Sequence, residues 1–349
     1  MTPYQVGIIG CGRPRSVEGA TGFGMSHAHA EGYKAAPDAA IVALADINLD
    51  NARAFQAEHG GERLYADYRT MLAQEKLDIV SISTWPHLHA QMVIDCAQAG
   101  VKAVHCEKPM APTYGESVRM VRACEQNGVQ LTFNHQRRFG APYRRAKELL
   151  KAGWIGDLQR LEGACPNLFD WGTHWFDMLF FYNDETPVEW VIGQVDGRGS
   201  HPVFGVLVEG HGLSHFRFRN GVDGLLITGH GARGLTNRLI GSDGQIEVGH
   251  SPEAPLRIWG KGDTGWQGVA VDEGLHGMDY VTRGVLDLID ALKTGREPEL
   301  SGRRALQATE LIFATYESSR QRARIDLPLQ IEDSPLQSMV EAGQVKMGV

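Results

Sequence analysis

Cysteine is scarce and scattered in this chain of 349 residues. The five cysteines stand singly with no CxxC pair, so the sequence predicts neither a disulfide framework nor a cysteine-bound zinc site. The fourteen histidines contain no HExxH motif, and we therefore predict no metal site. Unpaired, reduced cysteines are typical of cytosolic proteins, so we expect a cytoplasmic location.

Long apolar runs and an excess of positive charge are missing as well. No stretch approaches the ~18 consecutive apolar residues of a membrane span, and we expect no signal peptide because no basic segment precedes an apolar run at the start. The net charge of -8 gives no electrostatic basis for binding nucleic acid or an anionic membrane. The composition is that of an ordinary globular protein, and at this length two domains are expected.

Strand and helix patterns alternate through the first 133 residues. Apolar runs such as Val6–Ile9 are each followed by a helical pattern, which predicts an α/β fold with a parallel, doubly wound sheet. Between Val188 and Trp259, short alternating strands separated by turns predict an antiparallel sheet. We therefore predict two domains, at residues 1–133 and 134–349. The segment Ser334–Val349 is expected to be a tail or an oligomer arm.

Gly10 and Gly12 directly follow the first predicted strand and precede a predicted helix. The first glycine of such a turn allows a tight bend and the second lets the backbone approach a pyrophosphate, so we predict a dinucleotide-binding turn. An extra loop, Arg13–Phe23, displaces the third glycine of the usual pattern. Either Gly24 or Ser26 takes its place.

The second predicted strand ends in Asp46. An acidic residue at this position accepts hydrogen bonds from the adenosine ribose and repels a 2′-phosphate, so NAD is favoured over NADP as the cofactor. The alternative role for Asp46 is to cap the helix that starts near Leu49, and the two roles are compatible.

The loop after the predicted strand Ile79–Ser83 contains Thr84, Pro86, His87 and His89, and the two histidines begin the next helix. Because ligands bind at the carboxyl ends of parallel strands, this loop is placed to contact the nicotinamide-ribose half of a dinucleotide. We therefore predict these four residues as cofactor contacts.

Glu107 and Lys108 follow the apolar strand Ala103–Cys106 and precede Pro109. Proline disfavours a helical conformation at the residue before it, so both side chains are held at the carboxyl end of the strand. A lysine fixed there can hydrogen-bond a substrate oxygen and stabilise negative charge that develops on it. The alternative is an ordinary Glu-Lys pair in a surface turn.

Asp170 and His174 stand at the front of an apolar helical segment that reaches Tyr182. Residues four apart share one face of a helix, and a carboxylate beside an imidazole tunes the imidazole as a general base. The alternative is a helix-capping aspartate and a buried structural histidine.

Together these features resemble the Gfo/Idh/MocA family, which includes glucose-fructose oxidoreductase and inositol dehydrogenase. The resemblance covers about Tyr4–Leu329 and rests on the motifs above together with Arg137-Arg138-Phe139, Asp170-x-Gly172-x-His174-x-x-Asp177 and Gly241-Ser242-Asp243-Gly244. It implies a Rossmann domain followed by an α/β domain with a large, mostly antiparallel sheet. It also implies NAD(P)-dependent chemistry on sugars, cyclitols or their derivatives.

The resemblance further implies a role for each candidate residue. Lys108 would hydrogen-bond the reacting hydroxyl with Glu107 beside it, and both belong to the expected cofactor contacts. His174 would accept the hydroxyl proton, and Asp170 would orient His174. We expect Lys108, Asp170 and His174 to converge on one substrate carbon, and we expect Arg137 to join them in binding the substrate.

The leading interpretation is an NAD-dependent dehydrogenase or reductase that acts on CH–OH groups of a small sugar or cyclitol. The alternatives are an NAD-dependent glycosidase, which oxidises its substrate transiently and eliminates the aglycone, and a non-catalytic sugar sensor. The presence of Lys108, Asp170 and His174 together argues against the sensor. We expect a homodimer or homotetramer, because few helices are predicted to cover the antiparallel sheet.

Overall fold

The computed structural model of the protein describes residues 2–13, 18, 22–229 and 237–348. The chain forms two compact units. The first comprises the residues up to Pro112 with Glu116–Gln136 and Met278–Ala305, and the second comprises Thr113–Gly115, Arg137–Gly277 and the residues from Leu306 onward. Most of the extra loop predicted at Arg13–Phe23 lies outside the described residues. None of the described helices combines the length and the hydropathy that crossing a bilayer requires.

The first unit is built on a six-stranded parallel sheet. Its strands lie in the order β3-β2-β1-β4-β5-β6, and they are β1 (Tyr4–Ile9), β2 (Ala39–Ala45), β3 (Arg63–Tyr65), β4 (Ile79–Ile82), β5 (Ala103–Cys106) and β6 (Gln130–Phe133). Every residue of β4 and β5 is buried, as expected for central strands of a parallel sheet. The order reverses between β1 and β4, which is the Rossmann arrangement and confirms the predicted doubly wound sheet.

Helices alternate with these strands, as the sequence predicts. They are α1 (Met25–Lys34), α2 (Leu49–His59), α3 (Tyr68–Gln74), α4 (Pro86–Gln98) and α5 (Tyr114–Asn127). Asn48 caps α2 and Asp67 caps α3, each accepting a hydrogen bond from the backbone N–H two residues further on. These caps satisfy donors that a helix start leaves free, so the local sequence sets where both helices begin.

Helix α8 (Asp279–Thr294) belongs to the first unit although it lies far along the chain. Its Val285 and Leu288 are buried in the hydrophobic core of that unit. It packs at Gly32 of α1, where a Cβ atom would lie 2.7 Å from Val285 Cβ. The predicted domain boundary after residue 133 stays a prediction. A single boundary there would not include Met278–Ala305, which belongs to the first unit.

The second unit is built on a nine-stranded sheet in the order β14-β13-β12-β11-β7-β10-β9-β8-β15. Its strands are β7 (Leu158–Cys165), β8 (Val188–Asp196), β9 (His211–Phe218), β10 (Asp223–Thr228), β11 (Asn237–Gly241), β12 (Gln245–Val248), β13 (Leu256–Trp259), β14 (Gln267–Gly268) and β15 (Ile325–Asp326). Among the described strand pairs of this second sheet, only β7 and β10 are parallel. The predicted large, mostly antiparallel sheet is therefore confirmed.

The helices of the second unit pack on this sheet or against one another. They are α6 (Ala141–Lys151), α7 (Gly172–Tyr182), most of α9 (Gly302–Gln321) and α10 (Pro335–Glu341). All eleven residues of α7 are buried. Phe176 of α7 meets Phe216 of β9 edge to face, with ring centroids 5.8 Å apart. The mostly apolar sequence of α7 is thus explained by burial on every side.

The two faces of the nine-stranded sheet differ. Residues of β8, β9 and β10 alternate between buried and more exposed positions. On the buried face, Ser214 Oγ lies 2.8 Å from Thr315 Oγ1 of α9. The opposite face carries the apolar side chains of Ile192 and Leu213, which are 48% and 43% exposed. This second face is the one on which a further chain is predicted to pack.

The expected tail or arm at Ser334–Val349 packs within its own unit as far as Gly348. Its helix α10 buries Leu336 and Met339. At the end of the described segment, Gly348 N donates a hydrogen bond of 3.2 Å to Gly197 O. As far as Gly348 the segment is therefore packed on its own unit, and its expected role as a tail or an oligomer arm stays a prediction.

Candidate active site

The turn after β1 fits the backbone of a dinucleotide. Gly10 has a φ of +87°, and a Cβ atom there would lie 2.7 Å from the carbonyl oxygen of Ser83, so only glycine is tolerated. Among the described residues, no heavy atom lies within 4 Å of the Cβ position at Gly12, so the space beside this glycine is open. Doubly wound sheets bind their ligands between the two strands where the order reverses, here β1 and β4.

Asp46 is positioned by two backbone N–H groups at the end of β2. Its Oδ2 accepts a hydrogen bond from Cys11 N and its Oδ1 accepts one from Asn48 N, both of 2.8 Å. The N-cap of α2 is Asn48, so the alternative capping role for Asp46 is wrong. Each carboxylate oxygen can accept a further hydrogen bond, which fits the hydroxyl groups of a ribose.

His89 joins the loop after β4 to the loop after β5. Its Nε2 lies 3.0 Å from Thr84 O and its Nδ1 lies 3.0 Å from Pro109 O. The ring is fully buried, and this burial lowers the pKa of His89, although the surrounding carbonyl groups oppose the change. The structure therefore gives His89 a role in fixing the two loops, and its predicted contact with the cofactor stays a prediction.

The other predicted residues of this loop differ in accessibility. Pro86, the first residue of α4, is buried, whereas His87, which follows it, is exposed. Thr84 is half-buried, and its Oγ1 donates a hydrogen bond of 3.4 Å to Met92 Sδ. Their predicted contacts with the cofactor also stay predictions.

Glu107 is buried after β5 and is held by several donors. Asn134 Nδ2 donates to its Oε1 at 2.6 Å, and His29 Nε2 lies 2.9 Å from the same oxygen. Burial by itself would raise the pKa of Glu107, but His29, Asn134 and the charge of Lys108 outweigh it and lower the pKa from 4.5 to about 2. Glu107 is therefore a carboxylate at neutral pH, directly beside Lys108.

Lys108 and the dinucleotide turn lie on the same edge of the first sheet. The strand register aligns Ile9, Ile82 and Cys106, which are the last residues of β1, β4 and β5. The turn at Gly10 follows the first of these strands, and Glu107 and Lys108 follow the third. The structure thus brings the predicted cofactor residues of the first unit to the carboxyl ends of neighbouring strands, where ligands of such sheets bind.

Asp170 lies in a turn before α7 and not within the helix. Because α7 begins at Gly172, the expectation that Asp170 and His174 share a helix face is wrong for Asp170. Asn167 holds the turn, since its Oδ1 accepts a hydrogen bond of 2.7 Å from Asp170 N. Asp170 and His174 are both buried, at 8% and 4% exposure.

Glu209 supports the same turn from another part of the second unit. Its Oε1 accepts hydrogen bonds from Leu168 N at 2.6 Å and Thr228 Oγ1 at 2.9 Å, and its Oε2 accepts one from Tyr316 OH at 2.7 Å. Burial raises the pKa of Glu209, and these hydrogen bonds oppose the change. Glu209 therefore acts by placing the backbone that precedes Asp170.

Arg138 forms an ion pair inside the second unit. It is fully buried and donates two hydrogen bonds of 2.8 Å to the carboxylate of Asp177. A third, of 2.6 Å, goes to Glu185 Oε1. Asp177 and Arg138, both part of the motifs that carry the family resemblance, thus stabilise each other with the two-pronged geometry that arginine prefers.

Arg137 has different surroundings. Its guanidinium carbon lies 4.4 Å from the ring centroid of Trp175 and 5.6 Å from that of Trp171. Its Nε and Nη1 are buried and have no hydrogen-bond partner among the described residues. Burial lowers the pKa of Arg137, while Tyr143 and Asp170 oppose the change. Two donors in this state can bind oxygen atoms of a ligand.

The sequence did not predict the residues that hold the candidate groups in place. Asn134 directly follows β6, and its position after a strand was the available signal. His29 lies in α1 and contacts Glu107 only because the helix packs on the sheet. Asn167 and Glu209 are isolated polar residues outside helices and strands, so no periodic pattern marks them.

The comparison with known families finds a match to the Rossmann domain of the first unit. A sequence model of an oxidoreductase family with an NAD-binding Rossmann fold, Gfo/Idh/MocA, matches residues 4–135. The resemblance to this family is confirmed. The predicted enzyme class, an NAD-dependent oxidoreductase, and the predicted cofactor, NAD, are confirmed with it, and the glycine turn and Asp46 fit that cofactor.

Similar proteins extend the match beyond the Rossmann domain. The chain is 27% identical to a D-apiose dehydrogenase of Paraburkholderia graminis, over 98% of this chain and 95% of the relative. It is 25% identical to a myo-inositol 2-dehydrogenase of Thermotoga maritima, over 93% of this chain and 98% of the relative. The fold resembles an Agrobacterium radiobacter oxidoreductase solved with NAD+, L-tartaric acid and magnesium, with a TM-score of 0.77 and 20% identity over 93% of this chain and 98% of that one.

Proposed function

We propose that this Gfo/Idh/MocA oxidoreductase transfers a hydride between NAD and a hydroxyl-bearing carbon of a sugar, cyclitol or sugar derivative. The observation that carries the proposal is Lys108, which follows an ionised, buried Glu107 on the same sheet edge as the dinucleotide turn. Two dehydrogenases of such substrates, for D-apiose and for myo-inositol, match the chain over nearly its whole length.

Each candidate residue has a chemical role in the proposed reaction. Lys108 donates a hydrogen bond to the reacting oxygen and stabilises negative charge on it. His174 accepts the hydroxyl proton as the alcohol is oxidised and returns it in the reverse direction. Asp170 orients the His174 ring. Bound NAD supplies the hydride acceptor.

Arg137 supports a hydroxyl-rich substrate. Its two buried donors without partners among the described residues suit the oxygen atoms of a polyol. Trp175 is buried and Trp171 is half-buried, and the guanidinium of Arg137 lies against both rings, which hold it in place. We therefore place Arg137 among the substrate-binding residues.

A panel of aldoses, polyols, cyclitols and glycosides, each with NAD or NADP, tests the proposal. We expect reduced cofactor, measured by its absorbance, to accumulate with NAD and at least one polyol, aldose or cyclitol. Release of an aglycone without net NADH would instead establish the transient-oxidation glycosidase. Binding of a sugar with no turnover of either kind would overturn the enzymatic assignment and leave a sugar-sensing protein.

A further inference from the structure

Two histidines and a glutamate converge where α1 meets the end of α2. His27 Nδ1 and His59 Nε2 are 2.7 Å apart. The carboxylate of Glu58 lies 3.3 Å from that His27 nitrogen and 3.5 Å from that His59 nitrogen. One ligand atom from each of the three residues therefore faces a common point.

The contacts of the two outer ring nitrogens bear on which nitrogen of each ring carries the proton. His27 Nε2 lies 2.9 Å from the carbonyl oxygen of Gly12, and His59 Nδ1 lies 3.2 Å from Glu31 Oε1. The Gly12 oxygen only accepts hydrogen bonds, so His27 Nε2 carries the proton when that ring is neutral. His59 Nδ1 lies near the Glu31 carboxylate but makes no hydrogen bond among the described residues. When His59 carries its proton on Nδ1, the two inner nitrogens face each other, and the Glu58 carboxylate, with lone pairs alone.

The other tautomer of His59 does not remove the conflict. If His59 donates through Nε2 to His27, its bare Nδ1 faces the carboxylate of Glu31. In either tautomer, two electron-pair donors are in contact without a hydrogen between them. A cation held by the three inner groups resolves the arrangement.

We propose that His27, Glu58 and His59 bind a divalent transition-metal ion of the zinc class. Two imidazoles and a carboxylate are a ligand set that suits Zn²⁺. Tetrahedral bonds of about 2.0–2.1 Å place ligand atoms about 3.3 Å apart. The two histidine nitrogens lie 3.3 Å and 3.5 Å from the two oxygens of Glu58, one nitrogen to each oxygen, which is close to this spacing. Binding requires the two histidine nitrogens to separate by about 0.6 Å.

The surroundings of the cluster suit a metal site in two further ways. Metal-bound histidines usually donate their other N–H to a carbonyl or carboxylate, and the carbonyl of Gly12 provides this acceptor for His27. Glu58 is 60% exposed, so water can reach the fourth coordination position. The ion would join α1 and α2 and, through His27, the glycine turn after β1.

Metal titration of the full chain tests this site. Protein freed of metal with a chelator is titrated at about pH 7.5 with Zn²⁺ against a chromophoric chelator, and with Co²⁺ by visible absorption. We expect one ion per chain, the absorption of tetrahedral Co²⁺, and a higher unfolding temperature with Zn²⁺. Glu58→Gln and His27→Gln should each weaken Zn²⁺ binding by about tenfold or more.

Matched variants make the result specific. Glu62→Gln removes a neighbouring exposed carboxylate and His201→Gln removes an exposed histidine elsewhere, and both should bind Zn²⁺ as the wild type does. The buried His59 can also be replaced, by His59→Gln. If that variant fails to fold, Glu58→Gln still tests the metal site, because it alters an exposed side chain. The proposal is overturned if the wild type takes up neither ion, or if Glu58→Gln and His27→Gln bind Zn²⁺ unchanged. In that case a proton shared by the two rings, and not a metal ion, would resolve the contact between their inner nitrogens.

Discussion

Glu107 is a carboxylate inside the first unit because donors surround it. His29 and Asn134 supply hydrogen bonds to the same oxygen, and Lys108 adds a positive charge. Without such partners, burial raises the pKa of a carboxyl group and favours its neutral form. These partners therefore keep Glu107 ionised beside Lys108 even though it is buried.

We expect replacement of Glu107 to change how stability depends on pH. Its pKa of about 2 in the folded protein lies below the usual 4.5, so its contribution is complete above about pH 4.5 and is lost as the pH falls towards 2. A change of this size corresponds to about 3 kcal/mol. The difference in unfolding free energy between wild type and Glu107→Gln, measured in urea, should shrink by that order between about pH 7 and about pH 2.5. A constant difference would contradict this.

Lys108 should matter for turnover and little for NAD affinity. We expect Lys108→Ala to reduce turnover by about 10² or more, because it removes the donor to the reacting oxygen. Lys102→Ala is the matched control, since Lys102 is exposed and precedes the same strand. Steady-state rates on the identified substrate and NAD titration separate the two effects. Near-normal turnover of Lys108→Ala would make the lysine structural.

Asp46 should set the preference between the two nicotinamide cofactors. We expect NAD to bind at least tenfold more tightly than NADP, about 1.4 kcal/mol or more, because the carboxylate held by Cys11 N and Asn48 N repels a 2′-phosphate. Asp46→Asn keeps the shape of the side chain and should reduce the difference between the affinities for NAD and NADP. Fluorescence titration with both cofactors measures it, and equal affinities for the wild type would remove Asp46 from this role.

Among the elements, α8 packs far from its neighbours in the sequence. Its packing on α1 depends on the space at one position. Gly32 leaves room for Val285, whose Cβ would be 2.7 Å from an added Cβ atom. Helix propensity alone would favour alanine at that position by about 1 kcal/mol.

We expect Gly32→Ala to destabilise the protein by about 1–3 kcal/mol, because the clash with Val285 outweighs the gain in helix propensity. Chemical denaturation measures the change. Lys34→Ala, at an exposed position of the same helix, should alter stability by less than about 0.5 kcal/mol. If Gly32→Ala were as stable as the wild type, the close packing of α8 on α1 would be contradicted.

At the scale of the whole molecule, the predicted assembly depends on one exposed face of a sheet. The outer face of the nine-stranded sheet exposes Ile192 on β8 and Leu213 on β9. The two are diagonal neighbours, since the register pairs Ile192 with His215, two residues beyond Leu213. Apolar side chains grouped on a sheet face are commonly buried by a symmetric copy of the same chain. The predicted homodimer or homotetramer is therefore expected to use this face.

Light scattering at micromolar concentration should give a dimer or tetramer for the wild type. Leu213→Glu should shift the mass towards the monomer, because it would bury a charge in the contact. Leu286→Glu is the control, since Leu286 is similarly exposed, at 38%, on α8 of the other unit. A monomeric wild type would refute the assembly, and dissociation of both variants would refute this face.

The sequence by itself determined the helices and strands and the groups at the strand ends. Period-two and helical patterns are local, so the order of elements in the Rossmann domain could be read directly. Gly10, Asp46 and Lys108 could be found because each follows a recognisable apolar strand. Their positions on one sheet edge then follow from parallel pairing.

Only the tertiary structure decided which distant residues meet. The return of α8 to the first unit, the donors around Glu107 and the support of Asp170 by Glu209 all join residues far apart in the chain. Sequence motifs did not indicate the cluster of His27, Glu58 and His59 for the same reason, since its side chains come from two helices. Side-chain contacts of this kind depend on packing between elements, and local periodicity carries no record of it.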